Sequence, residues 1–392
     1  MFSILNRQCI AKSRATGYVA AAIVFIAIVG CAGRREAVLD LRAPVPTASV
    51  RQSVFLIGDA GNPAPGGEPV LTALSGELNR SEVSATVIFL GDNVYEKGMP
   101  NEDAEDRQEM ERRLQDQIDA VLFTGATAIF IPGNHDWARG KSDGWNAVLR
   151  QEAYIETVGS ERVRFLPEGG CPGPRFVDIG ENVRIVTMDT QWWLHKNDKP
   201  AGTHDCPSTE ESVLDSLRSV LLSAGDRHII VAAHHTPVFC GPHGGYFTWK
   251  DHIFPLTKVK SWAWLPLPVI GSVYPLLRMW GISDQDLSGG LNEHMREAIE
   301  SVFEEKPPLV YAGGHEHALE VFKGEFVRYV LVSGSGIYGN TEPIGDRDNL
   351  LWSATESGFM RLDFFDDGTV RLGVLVVDET GDGTEVFSYF LN

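Results

Sequence analysis

Five short clusters in this chain hold side chains that can bind metal ions. They are Gly58-Asp59-Ala60-Gly61, Gly91-Asp92-Asn93-Val94-Tyr95, Gly133-Asn134-His135-Asp136, Val231-Ala232-Ala233-His234-His235 and Gly314-His315-Glu316-His317. Carboxylates, an amide oxygen and imidazoles together suit zinc, iron or manganese, whereas oxygen ligands alone would suit magnesium or calcium. Two such ions about 3.5–4 Å apart can clamp a phosphoryl group. The clusters therefore predict a two-metal site, with Asp92 as the carboxylate that bridges the ions.

Each cluster follows directly on a run of four or five mostly apolar residues. The runs are 54–57, 86–90, 128–131, 229–233 and 309–312. Their length and branched side chains are typical of strands that are buried on both faces. Ligands in open α/β sheets bind beyond the carboxyl ends of such strands. We therefore expect loops at the end of a rigid sheet to bring the five clusters to one place.

The order of these clusters resembles the calcineurin-like metallophosphoesterases, and more closely the purple acid phosphatase branch. The pattern of that branch is GDxG, GDxxY, GNHD or GNHE, VxxH and GHxH, and all five blocks occur here between residues 58 and 317 without a substitution. The resemblance implies an α/β fold built as a four-layer αββα sandwich. It also implies a hydrolase of phosphate esters in which a metal-bound hydroxide attacks phosphorus.

The resemblance further implies a ligand set for each metal ion. The first ion would be held by Asp59, Asp92, Tyr95 and His317. The second would be held by Asp92, Asn134, His234 and His315. Tyr95 favours iron(III) in the first position, because a phenol with a pKa near 10 readily loses its proton only to a strongly Lewis-acidic ion. Iron(II), zinc or manganese is expected in the second position.

Two further histidines match the family's substrate-binding and proton-donating residues in position. They are His135, next to Asn134, and His243, nine residues after His234. Protonated imidazoles there would stabilise the phosphate oxygens and protonate the departing alcohol. His235 is a weaker candidate for a helper. The remaining histidines lie in no block and are assigned no function: His195, His204, His228, His252 and His294.

The first 30 residues are typical of an export signal. Three basic residues precede an apolar stretch from Tyr18 to Val29 that is short for a membrane span. Ile28-Val29-Gly30-Cys31 then resembles the bacterial lipobox, in which the cysteine is lipidated and becomes the first residue. We therefore expect a lipoprotein signal peptide at 1–30. An uncleaved anchor helix and a signal peptide cut elsewhere are the alternatives.

A lipidated Cys31 would anchor the protein to a membrane in the bacterial cell envelope, and Ala32 resembles the residue found in outer-membrane lipoproteins. Residues 31–53 would form an extended tether, since Ala43-Pro44-Val45-Pro46 lies within them. The catalytic domain is expected to occupy 54–392. Removing residues 1–30 changes the formal charge from −19 to −22, because they hold three basic and no acidic residues. Such an acidic domain argues against nucleic acid as a partner.

Export would place Cys171, Cys206 and Cys240 in an oxidising compartment. One disulfide is expected there, and Cys171 with Cys206 is the preferred pairing because both lie in Pro-rich loop sequence. Spacing alone does not fix connectivity.

The pattern along the domain predicts helices at 102–122, 213–223 and 292–305, and strands at 326–332, 358–365 and 370–377. A Trp- and Pro-rich insert covers about 244–290. Its centre, 261–281, has three tryptophans, three prolines and hardly any charge, and the prolines exclude a regular spanning helix. The insert is interpreted as a lid, a partner surface, a membrane-resting patch or a segment that simply packs on the domain.

The sequence as a whole predicts an acid phosphomonoesterase that acts on a phosphorylated small molecule. Two alternatives use the same residues. One is a phosphodiesterase or nucleotide hydrolase with the same metal site. The other is a non-catalytic envelope lipoprotein that keeps the metals and binds a partner through the insert.

Overall fold

The computed structural model describes residues 43–44, 46–200, 202, 206–258, 260 and 262–391. The predicted signal peptide, Cys31, most of the tether and His204 lie outside the described residues. The strands of the described part are β1 (Val50–Ile57), β2 (Ser84–Phe89), β3 (Thr127–Phe130), β4 (Val163–Phe165), β5 (Arg175–Ile179), β6 (Val183–Thr187), β7 (His228–Ala232), β8 (Val310–Gly313), β9 (Leu319–Lys323), β10 (Tyr329–Ser333), β11 (Leu350–Ala354), β12 (Gly358–Phe365), β13 (Val370–Val377) and β14 (Gly383–Phe390).

Helices connect many of these strands. The α-helices are α1 (Pro69–Arg80), α2 (Arg107–Leu122), α3 (Gly144–Val158), α4 (Thr190–Leu194), α5 (Glu210–Leu222), α6 (Trp249–Ile253), α7 (Val273–Met279) and α8 (Gly290–Phe303). Short 3₁₀ segments occur at Ala138–Gly140, Glu168–Gly170, Pro242–Gly244, Pro255–Lys258 and Ile270–Ser272. No helix among the described residues is long and apolar enough to cross a membrane.

The strands form two seven-stranded sheets. The first has the order β14-β13-β12-β1-β2-β3-β4, and the second has the order β11-β9-β10-β8-β7-β6-β5. Strands β1 to β4 run parallel to one another, as do β6, β7, β8 and β10. Antiparallel strands complete both sheets. Each sheet therefore contains a block of four parallel strands whose carboxyl ends lie on one side, at one end of the first sheet and in the centre of the second.

Alternating side chains of the strands build two apolar layers. Along β1, Val54 and Leu56 belong to the layer shared with strands of the second sheet, while Phe55 and Ile57 pack with the helices. This alternation follows from the two-residue period of a strand. Helices cover the outer face of each sheet, so the predicted four-layer αββα sandwich is confirmed.

Helix α2 begins later than its sequence pattern predicted. Its buried side chains recur with helical spacing from Met110 through Leu114 and Ile118 to Val121, as expected for an amphipathic helix. The acidic residues 102–106 form turns instead, because that stretch offers the core no large apolar side chain. Strands β12 and β13 have the predicted bounds, whereas β10 begins at Tyr329 rather than at residue 326.

Cys171 and Cys206 form a disulfide with an S–S distance of 2.00 Å, and Cys240 is a buried free thiol. The bond joins the loop before β5 to the segment before α5, 35 residues further along the chain.

Candidate active site

The five clusters lie at the carboxyl ends of five parallel strands. Asp59 follows β1, Asp92 follows β2 and Asn134 follows β3, which are neighbours in the first sheet. His234 follows β7 and His315 follows β8, which are neighbours in the second sheet. Parallel neighbours end at the same edge of a sheet, so each sheet presents its polar loops together.

Hydrogen bonds across the two sheets bring these loops into contact. His234 Nδ1 donates to the carbonyl oxygen of Leu90 at 2.8 Å, and the backbone N–H of His315 donates to Asp59 Oδ2 at 2.9 Å. The carboxylate of Asp92 accepts from the backbone N–H of His135 at 2.8 Å. The predicted ligands therefore meet at one place, and all of them except the half-buried His317 are buried.

Three of the atoms that are predicted to bind the second metal ion face one another. Asn134 Oδ1 lies 3.0 Å from both His234 Nε2 and His315 Nδ1. The two imidazole nitrogens are 3.3 Å apart, and Asp92 Oδ2 lies 3.5 Å from His234 Nε2. Each of these four atoms therefore lies within 3.5 Å of at least one other.

His234 and His315 each use one ring nitrogen to donate a hydrogen bond to a backbone carbonyl oxygen, which shows where that ring carries a proton. His234 Nδ1 donates to Leu90, and His315 Nε2 donates to the carbonyl oxygen of Gln285 at 2.9 Å. In its neutral form each ring consequently turns an unprotonated nitrogen toward Asn134 Oδ1, which is also an acceptor. Lone pairs that face one another in a buried site are stabilised by a positive charge between them, so these residues fit a metal ion.

The electrostatics of the same atoms agree with this fit. Burial opposes a charge on His234, but Asp92 and Asp59 raise its pKa to about 9, so without a metal ion this ring itself carries the positive charge that the carboxylates favour. Burial and the neighbouring His243 lower the pKa of His315 well below its usual range, which keeps that ring neutral. Burial also opposes the charge of Asp92, but His234 and His135 hold its pKa far below the usual range. The cluster is thus a carboxylate-rich pocket that attracts positive charge.

The first predicted metal position is built from the other ligands. Tyr95 Oη donates to Asp59 Oδ1 at 2.9 Å and lies 3.2 Å from His317 Nε2, which is 3.5 Å from Asp59 Oδ1. Burial, with Asp59 and Asp92 adding to it, raises the pKa of Tyr95 well above 10. A phenolate at this position therefore needs a strongly charged cation beside it.

Three of these ligands have a backbone conformation that is rare for residues other than glycine. The φ angle is 58° at Asp59, 54° at Asp92 and 68° at His315. Side chains in the left-handed region cost free energy and persist where the surroundings enforce them, which is frequent at functional sites. The sequence gives no direct signal of this strain.

The glycines of two clusters allow their carboxylates to approach. A Cβ atom on Gly133 would lie 2.3 Å from Asp92 Oδ1, and one on Gly314 would lie 2.3 Å from Asp59 Oδ2. Both distances are shorter than any real contact of a Cβ atom. These glycines are therefore part of the ligand geometry rather than of turn formation alone.

A family model described as "Calcineurin-like phosphoesterase" matches residues 53–319, which is more than half of the chain and includes all five clusters. The chain belongs to the calcineurin-like phosphoesterase family. It is accordingly a metal-dependent phosphoric ester hydrolase, and the family implies a dinuclear metal centre. The comparison with curated proteins found no match.

Solved structures share the fold of this phosphoesterase at low identity. The GAP50 anchor of the inner membrane complex of Plasmodium is 14% identical with a TM-score of 0.51, over 88% of this chain and 89% of its own. Purple acid phosphatase PPD1 from yellow lupin (Lupinus luteus) seeds is 16% identical with a TM-score of 0.53, over 89% of this chain and 55% of its own. The phosphoesterase thus spans about half of the lupin chain. The family and fold predicted from the clusters are confirmed.

The two predicted catalytic histidines lie beside the ligands of the phosphoesterase. His135 Nε2 is 3.9 Å from Asp92 Oδ2, and its Nδ1 is 2.9 Å from the carbonyl oxygen of Glu96. The centroid of the His243 ring lies 4.0 Å from that of His315, with the two ring planes tilted by 47°. Both imidazoles are partly exposed, with 17% of the His135 side chain and 22% of the His243 side chain accessible. A substrate that enters from solvent can therefore reach them.

His235 has a different position. Its Nδ1 is 2.9 Å from Thr190 Oγ1, and its Nε2 is 2.9 Å from Gln285 Oε1. Burial, with His234 beside it, lowers the pKa of His235 to about 3. With both nitrogens hydrogen-bonded and the ring neutral, His235 can support its neighbours but has no free atom for a substrate.

Several residues that support the site were not identified from the sequence. Asp136 accepts hydrogen bonds from the backbone N–H groups of Gly133, Asn93 and Val94 at 2.8, 3.0 and 3.0 Å, which holds two of the metal-binding loops together. Its position as the last residue of GNHD was the available signal. The contact between His243 Nδ1 and Asp286 Oδ1, at 2.9 Å, had no such signal because Asp286 lies in the insert.

Proposed function

We propose that this phosphoesterase is an acid phosphomonoesterase with two metal ions, one held by Asp59, Asp92, Tyr95 and His317 and the other by Asp92, Asn134, His234 and His315. The observation that carries the proposal is the convergence of predicted ligand atoms around Asn134 Oδ1, which lies 3.0 Å from both His234 Nε2 and His315 Nδ1. Once both rings are neutral, these facing lone pairs favour a metal cation between them. Bound there, two ions would neutralise the phosphoryl oxygens and make water a stronger nucleophile.

The choice of iron(III) for the first position rests on Tyr95. Its hydroxyl is buried between Asp59 and His317, where a weakly acidic ion would leave the phenol protonated. A softer divalent ion suits the second position, which offers two imidazoles, one amide oxygen and the shared carboxylate of Asp92. Iron(II), zinc or manganese fits that set.

His135 and His243 can donate protons to the substrate, which the proposed metal ligands cannot do. Their partly exposed imidazoles can donate hydrogen bonds to phosphate oxygens, and one of them can hold the proton that the departing alcohol needs. His243 is held from two sides, because its backbone N–H donates to Glu316 at 2.9 Å and its Nδ1 faces Asp286. Its ring therefore has one orientation in which to present Nε2.

Monoesters are the preferred substrate class because their terminal phosphoryl group carries two negative charges near neutral pH. A site with two cations and two protonatable imidazoles stabilises this group better than the single charge of a diester. Acid pH favours the charged imidazoles on which the proposal depends.

We also propose that the phosphoesterase works in the bacterial cell envelope, lipidated at Cys31 and held at the outer membrane by residues 31–53. The apolar stretch and the cysteine that follows Gly30 support this location. Radioactive palmitate incorporation in the wild-type chain, and its loss in Cys31→Ser, would test it.

The direct test of the activity compares a nitrophenyl phosphate monoester with the bis-nitrophenyl diester, using residues 32–392 supplied with iron and either zinc or manganese. We expect faster hydrolysis of the monoester at acid pH and its loss in Asn134→Ala. Faster hydrolysis of the diester would reassign the enzyme as a phosphodiesterase. Turnover of neither ester would favour the non-catalytic lipoprotein.

A further inference from the structure

The insert exposes an unusual concentration of apolar side chains. Of the twenty-one large apolar residues that are exposed in the described part of the chain, fourteen lie between Trp249 and Ile282. Among the most exposed are Trp262 at 77%, Trp280 at 76%, Val269 at 80% and Ile270 at 69%. Exposed apolar surface on this scale is rare on a soluble face and marks a surface that another body covers.

This surface has a defined shape. The backbone N–H of Leu267 donates to the carbonyl oxygen of Ile253 at 2.7 Å, and His252 Nδ1 lies 3.1 Å from Ser272 Oγ. The rings of Phe254 and Trp264 are 5.3 Å apart. These contacts connect α6, the loop that contains Pro266 and Pro268, and α7. The exposed apolar side chains therefore lie on an ordered segment, and their exposure is a property of the folded insert.

The local charge is opposite to that of the whole protein. The insert, residues 244–290, contains four basic residues, Lys250, Lys258, Lys260 and Arg278, and three acidic residues, Asp251, Asp284 and Asp286, in a chain whose formal charge is −19. Lys250 and Lys260 are exposed, whereas Arg278 is paired with Asp286. Exposed lysines in the same segment as exposed aromatic side chains are complementary to an anionic lipid surface.

The composition also favours lipid over a protein partner. Tryptophan is enriched at the boundary between headgroups and acyl chains, since its ring is apolar and its N–H remains polar. Trp262, Trp264 and Trp280 are all more than half exposed. Prolines interrupt the segment and its helices are short, which suits a patch that lies in the interface rather than a helix that crosses it.

We propose that the insert is a membrane-docking surface that binds the anionic headgroup region of a phospholipid bilayer through its exposed tryptophans and through Lys250 and Lys260. The candidate active site lies next to this surface, because Gln285 and Asp286 of the same insert contact His315 and His243 at 2.9 Å. The insert would thus hold the site at a fixed orientation close to the membrane. This role does not depend on lipidation of Cys31 or on the substrate.

The test uses the full chain mixed with vesicles of phosphatidylethanolamine and phosphatidylglycerol whose acyl chains carry bromine, which quenches tryptophans that enter the bilayer. Wild-type fluorescence should fall with brominated but not with ordinary vesicles. The triple variant Trp262→Ser, Trp264→Ser, Trp280→Ser should lose most of this quenching. The matched control is Phe123→Ser, which removes an apolar residue that is 78% exposed outside the insert and should leave the quenching unchanged.

A second pair of variants tests the charge. Lys250→Ser with Lys260→Ser should lower the partitioning of the protein onto anionic vesicles about tenfold or more, whereas binding to neutral vesicles should not change. In Cys31→Ser the quenching should persist, because it arises from the insert. Equal quenching of the wild type and the triple variant would overturn the proposal, and so would self-association through this face in the absence of lipid. Hydrolysis of a soluble monoester by every variant shows that it is folded.

Discussion

The strand-end clusters and the insert meet at the candidate active site, but they are built in opposite ways. Asp59 and His234 are buried at 1% and 0% exposure and follow directly on core strands. The insert places Trp262 and Trp280 in solvent and contains only short helices. The two sheets therefore position the groups predicted to bind metal. The insert holds His243 through Asp286 and carries the proposed membrane-docking surface.

Substitution of a strand-end glycine should have the largest effect. In Gly133→Ala the new Cβ would lie 2.3 Å from Asp92 Oδ1, which must displace the carboxylate proposed to bind both metal ions. We expect monoester hydrolysis to fall by more than about 100-fold, as when metal ligands are misoriented. The matched control is Gly125→Ala, where a Cβ would meet nothing within 4 Å. Equal activity of the two variants would show that the close approach is unimportant.

The next largest effect is expected where the insert meets the site. Asp286→Asn removes the carboxylate that faces His243 Nδ1 at 2.9 Å and that Arg278 Nε approaches at 2.6 Å. We expect kcat to fall by about 10- to 100-fold, with a changed pH profile and little change in KM.

Asp284→Asn is the control for Asp286→Asn. Asp284 pairs with Lys196 at 2.5 Å and lies outside the His243 contact. A pH profile of Asp286→Asn identical to that of the wild type would mean that Asp286 does not act through His243.

The disulfide should affect stability rather than chemistry. Cys171→Ser with Cys206→Ser removes a bond that closes 35 residues, and loop entropy predicts a loss of about 3–4 kcal/mol in the free energy of unfolding. Denaturant unfolding of the oxidised protein measures this loss. Both cysteines lie outside the metal cluster, so kcat at a temperature where the variant is folded should remain within about twofold of the wild type. A large drop in kcat without a loss of stability would contradict this separation.

The smallest effect is expected on the outer surface of the insert. Trp280→Ser changes a side chain that is 76% exposed, and surface substitutions usually alter stability by less than about 0.5 kcal/mol. Hydrolysis of a soluble nitrophenyl phosphate should therefore be unchanged. A strong loss of activity on this soluble ester would indicate that the insert is a lid rather than a membrane-docking surface.

The positions of the predicted ligands could be inferred from sequence because each follows a recognisable buried strand. The apolar runs before Asp59, Asp92 and Asn134 form neighbouring parallel strands. Clusters that follow one another in the sequence therefore lie side by side at the end of the sheet. The start of α2 could not be inferred as well, because the acidic residues 102–106 suit a helix or a turn equally. Tertiary burial from Met110 onward decided between them.

The contacts made by the insert could not be inferred for a different reason. Gln285 reaches His315, 30 residues away, and Arg278 reaches Asp286 across a chain reversal. Neither residue is part of a periodic pattern. The strained φ angles of Asp59, Asp92 and His315 are equally invisible in sequence, because ordinary residues occupy those positions.

Metal analysis of the purified protein tests the central claim most directly, since the strand-end cluster is argued to hold two ions. The account predicts about two bound ions per chain, one of them iron, with a visible absorption band that Tyr95→Phe removes while the chain stays folded. Asn134→Ala should release the second ion and keep the band. Protein that binds no metal stoichiometrically, even after supply of iron with zinc or manganese, would contradict the account.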